Sequence, residues 1–83
     1  MVTVMINIER PENGFAEMHK LIKTIPNGLI YESAGIPEGN TFNIVLRGKR
    51  KNSTYDAATY FVTNFSGIIN SVTEKIGKKI TVL

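Results

Sequence analysis

Residues 2–8, VTVMINI, alternate without a break: Val2, Val4, Ile6 and Ile8 fall on one face and Thr3, Met5 and Asn7 on the other. A period of two built from β-branched residues predicts a strand buried on one side only. ERPENG interrupts it, and from Phe15 the spacing turns helical. Phe15, Met18, Leu21, Ile22 and Ile25 then form one stripe. PNG at 26–28 ends that helix, because proline cannot continue it and Asn-Gly accepts a turn. The pattern next predicts a short second strand at Leu29–Ser33, a loop over AGIPEGN, and a third strand over TFNIVLR with Phe42, Ile44 and Leu46 inward.

A second helix is expected from Ser53, with Asp56 three residues on as the acid of a capping box. Tyr55, Ala58, Val62, Phe65, Ile69, Val72 and Ile76 follow it in steps of three and four, and Gly77 stands where a C-terminal cap belongs. KITVL closes the chain as a fourth strand. Strand, helix, strand, strand, helix, strand is the order of a ferredoxin-like α+β sandwich. The expected architecture is a four-stranded antiparallel sheet of order 4-1-3-2 with both helices on one face, in a single domain over residues 1–83.

Composition changes this picture little. Hydrophobic residues make up 42% and charged residues 20%, which suits a folded domain rather than a disordered chain. The chain has no cysteine, so disulfides, thiol catalysis and cysteine metal sites are excluded. No apolar run reaches the length of a membrane span, and the N-terminal residues lack a signal-peptide pattern, so a cytoplasmic protein is expected. The net charge of +3 is local: Arg47, Lys49, Arg50 and Lys51 form one patch, and Lys75, Lys78 and Lys79 another. The first patch connects a strand to a helix, where connections are ordinarily charged and solvated.

Groups for catalysis are sparse. His19 is the only histidine, and the seven carboxylates are spread over different elements. No phosphate-binding glycine motif occurs. Acylphosphatases share the expected topology and place an arginine in a glycine-rich loop after the first strand. ERPENG holds Arg10 but not that pattern. The expectation is a protein that is not an enzyme and takes no cofactor or metal.

The outward faces say more. Strand one presents Thr3, Met5 and Asn7, and strand three presents Thr41, Asn43, Val45 and Arg47. An RNA-recognition sheet would carry aromatic residues there for base stacking, and none is present. Apart from Arg47 the face is uncharged and half apolar, which suits a second subunit or another protein. The second helix adds a candidate ridge of small residues at steps of four, Thr59, Thr63, Gly67 and Ser71.

The functional expectation is therefore a small non-enzymatic binding domain, a homodimer or a regulatory or inhibitory partner in a complex. Its interface would use Thr3, Met5, Asn7, Asn43 and Val45, or alternatively the helical ridge. A first alternative is nucleic-acid binding through Arg47, Lys49, Arg50 and Lys51. A second, on topology alone, is a small-ligand sensor of the ACT type using the loop around Gly14.

Overall fold

The computed structural model describes residues 1–82. Its elements run β1 (Val2–Glu9), α1 (Ala16–Lys23), β2 (Glu32–Glu38), β3 (Thr41–Gly48), α2 (Lys51–Asn64) and β4 (Ile69–Glu74). The strands form one antiparallel sheet of order β2-β3-β1-β4, which read from the other edge is the expected 4-1-3-2. The class is α+β.

The alternation in β1 works as the sequence implies. Val4, Ile6 and Ile8 are fully buried on the inward face, beside Ile44 and Leu46 of β3 and Val72 of β4. Met18 of α1 and Ala57, Ala58 and Phe61 of α2 close the same core from the helical side. Phe61 is the largest wholly buried side chain, and it stacks on Phe65 with ring centroids 5.1 Å apart. Phe61, Thr54 and Ala57 lie off the expected stripe, because the inward face of α2 is turned from it. Val62 and Tyr55 of the stripe are half-buried at its margin.

Three elements differ in extent from the sequence reading. The second strand is Glu32–Glu38, not 29–33, so most of AGIPEGN pairs with β3 instead of looping. Gly39, at φ 56, and Asn40 make a two-residue turn between the paired Glu38 and Thr41. A Gly-Asn pair suits a tight hairpin. Pro37 is tolerated within the strand because β2 pairs on one side only. The ring of Phe42 lies across Gly35, where an added Cβ would sit 2.5 Å from it, and packs against Phe15 at 4.6 Å.

The second helix starts earlier and stops sooner than expected. Arg50 is its N-cap residue, and no side chain caps the free N–H groups; Ser53 Oγ instead donates to the Arg50 carbonyl at 3.2 Å. The helix ends at Asn64, where Phe65 turns extended. The Ser66 N–H and hydroxyl then both bond Glu17 of α1, at 3.2 and 2.8 Å. Gly67 passes against the Phe65 ring, where a Cβ would lie 2.6 Å away.

The expected helical residues 69–74 are therefore β4, and Ile76 is 79% exposed rather than part of the core. Gly77, at φ 83, sits in a turn from Glu74 to Lys78 and is not a helix cap. Lys79 bridges to Thr73, and the Ile80 N–H bonds the Val72 carbonyl at 2.9 Å. The segment expected as strand four is thus a short return along the outer edge of β4; Leu83, its last residue, lies outside the described residues. The proposed ridge fails with the helix. Thr59 and Thr63 stand on α2, Gly67 in the following loop and Ser71 on the sheet. Among the described residues, no helix is long and apolar enough to cross a membrane.

Candidate interaction surface: the open sheet face

Strand register places the outward side chains in four rows. Glu32, Arg47 and Thr3 form the first; Ala34, Val45, Met5 and Thr73 the second; Ile36, Asn43, Asn7 and Ser71 the third; Glu38, Thr41 and Glu9 the fourth. The two middle rows hold no charge. Charged groups appear only at the ends, with Arg47 paired to Glu32 at 2.7 Å on one side and Glu9 and Glu38 on the other.

The sequence reading of which residues share this face is incomplete. Thr3, Met5, Asn7, Asn43 and Val45 are brought together as expected. Ala34, Ile36, Ser71 and Thr73 join them from strands whose limits the hydrophobic pattern misplaces. Two of the expected contact residues are less available than they look. Val45 is 2% exposed and Asn43 6% exposed in the single chain. Ile36, at 48%, is the exposed apolar residue of the middle rows.

A chain of hydrogen bonds crosses all four strands beside that centre. Asn70 Nδ2 donates to Glu9 Oε2 at 2.6 Å and to Asn7 Oδ1 at 2.9 Å. Asn7 Nδ2 donates to Asn43 Oδ1 at 2.7 Å and to Thr41 Oγ1 at 2.9 Å. Asn43 Nδ2 donates in turn to Glu38 Oε2. Asn7 and Asn43 thus spend both donor and acceptor groups inside the sheet, Asn70 spends its donors, and the run ends on two carboxylates that only accept. Asn70 reaches Asn7 because the β1–β4 register shifts between Asn7 and Ile8, leaving Asn70 as the extra residue of a bulge. The result is a polar surface whose amide donors are already engaged within the chain. Covering such a surface costs less than covering free amides.

Both edges of the sheet are guarded. The return at 78–80 lies along β4, and Pro37 and two glutamates mark β2. Edges so protected disfavour strand addition and leave the face as the larger free surface.

The other expected sites fare differently. Of the basic stretch, Arg47 lies on the open face and is neutralised by Glu32, whereas Lys49, Arg50 and Lys51 are exposed at the start of α2. Lys51 Nζ lies 5.6 Å from the centroid of the Tyr55 ring. Gly14 does take a positive φ of 87, but the nearby Glu17 carboxylate is already engaged by Ser66. His19 is exposed on α1. Among the described residues, no three metal-ligating side chains converge.

Comparison with protein-family models, with curated proteins and with solved structures yields no match.

Proposed function

We propose that the chain is a small binding domain of ferredoxin-like topology that acts by protein association, pairing with a second copy of itself through the open sheet face. One observation carries this reading: the two middle rows form an uncharged patch whose amides are already hydrogen-bonded within the chain. The reading is non-catalytic, and it assigns the protein's activity to what the dimer or a substituted partner covers, as in a regulator or inhibitor.

Four strands about 4.8 Å apart and seven residues long give a face of roughly 20 Å by 20 Å. Two copies would bury on the order of 1,000 Å² in total, the lower bound for a stable biological interface. A dissociation constant in the micromolar range is expected. A two-fold arrangement is favoured because closed dimers are the commonest oligomers and the guarded edges oppose open-ended growth. Sedimentation equilibrium from about 1 to 100 μM tests it. The dimer fraction should rise with concentration and change little between low and high salt, since screening acts on charges that the patch lacks. A monomer throughout that range excludes self-association.

A further inference from the structure

Tyr31 lies outside the rows of the open face, just before β2, and the fold carries it to the basic loop. Its backbone N–H donates to the Arg47 carbonyl at 2.9 Å, which fastens it beside the end of β3. Half of Tyr31 is exposed, at 50%. Together with Leu29, Ile30, Lys49, Arg50 and Ser53 it lines a hollow of about 410 Å³. Lys49 and Arg50 have no carboxylate partner among the described residues, and the first turn of α2 contains no acid to offset them. Lys51 adds a third charge next to them.

An exposed aromatic ring bordered by unpaired cations suits one chemistry in particular. The ring offers a stacking face, which any unpaired base can use, and the cations offer partners for the flanking phosphates. We propose that this hollow binds single-stranded nucleic acid without sequence preference, a base lying on Tyr31 and phosphates meeting Lys49 and Arg50. A duplex hides its base faces within the stack, so Tyr31 would add nothing to duplex binding. The aromatic-free open face plays no part, which keeps this site separate from the dimer surface and gives a two-fold dimer two such sites.

The number of charges sets the expected strength. For single strands the slope of log affinity against log salt is about −0.7 per phosphate contacted, so two to three contacts give about −1.4 to −2.1. Binding is therefore weak at physiological salt and measurable near 50 mM. The test is fluorescence anisotropy with a labelled oligo(dT) of about 20 nucleotides, against a duplex of equal length and against heparin. The single strand should bind more tightly than either, with that salt slope. The double variant Lys49→Gln, Arg50→Gln should lose binding at 50 mM salt. Tyr31→Ala should weaken it at least about fivefold, the lower figure for loss of one stack, while Tyr31→Phe keeps it. Circular dichroism of each variant establishes that it is folded. Absence of binding by the parent at 50 mM salt overturns the proposal. So does equal binding of duplex or heparin, or a folded Tyr31→Ala variant that binds like the parent.

Discussion

Thr54 Oγ1 lies 2.0 Å from the point that a Cβ on Gly48 would occupy, and the Leu29 carbonyl oxygen lies 2.9 Å from the same point. Gly48 ends β3 directly under the first turn of α2, where Thr54 is fully buried and its hydroxyl donates to the Arg50 carbonyl at 2.6 Å. Here the strand and the helix approach too closely for any side chain.

Gly48→Ala must therefore push the helix off the sheet or turn Thr54 away from Arg50. Overpacking of this kind costs about 1–3 kcal/mol. In a domain this small, that lowers the melting temperature by roughly 5–20 °C. Thr54→Ala removes the nearest atom, so the double variant should lose less than the two single losses combined. Thermal melts of the three variants check this, and strict additivity would refute the close approach.

The core and the outer end of the expected stripe should separate cleanly. Phe61→Ala empties a wholly buried site and should cost about 3–5 kcal/mol, enough to unfold much of the population. Ile76→Ser alters an exposed turn residue and should stay within about 0.5 kcal/mol of the parent. Urea titration measures both; comparable losses would return residue 76 to the core.

Much of this architecture was legible because β1, α1 and β3 each hold one clear period. The error at β4 has a specific cause. Ile69 and Val72 both face the core, yet the bulge at Asn70 sets them three apart instead of two. Three is a helical spacing, so a bulged strand continued the stripe of α2 in the sequence. At β2 the inward positions are Ser33, Gly35 and Pro37, which supply none of the apolar alternation that would have announced a strand; Phe42, from the neighbouring strand, covers Gly35. The candidate surface inherited both errors. Its β1 and β3 positions could be read directly, while Ala34, Ile36, Ser71 and Thr73 depended on pairing partners that no local pattern reveals. Tyr31 joins Lys49 and Arg50 through the same long-range pairing.

The amide chain predicts a pH effect. Asn43→Asp exchanges a donor to Glu38 for a second carboxylate at a nearly buried position. Two facing carboxylates favour protonation in the folded state, so the introduced group would titrate above its unfolded value. Protonation then binds more strongly to the folded form, and the stability deficit should be large near pH 7 and shrink as pH falls toward 4. Melting temperatures of parent and variant across that range check it; a deficit that grows on acidification contradicts the contact.

For association, Ile36→Lys is the informative substitution. Ile36 is half exposed in the single chain, so a lysine there can be solvated by the monomer, whereas the dimer would have to bury it. The variant should melt like a monomeric parent and shift the dimer constant at least tenfold. Val45→Lys would place the charge at a site already 2% exposed and should destabilise the subunit itself. An unchanged dimer in Ile36→Lys would move the interface off this face.

The position of β1 also dictates an order of assembly. It is first along the chain, yet its neighbours in the sheet are β3 and β4, so Val4 waits for Leu46 on one side and for Glu74 on the other. Only the β2–β3 hairpin can close locally, through its two-residue turn, and it can form within microseconds. Every later strand pairing must close a loop of about 30 residues or more before any new ladder repays the lost chain entropy. Folding should therefore begin in the middle of the sequence, with β1 recruited afterwards and its second edge sealed last.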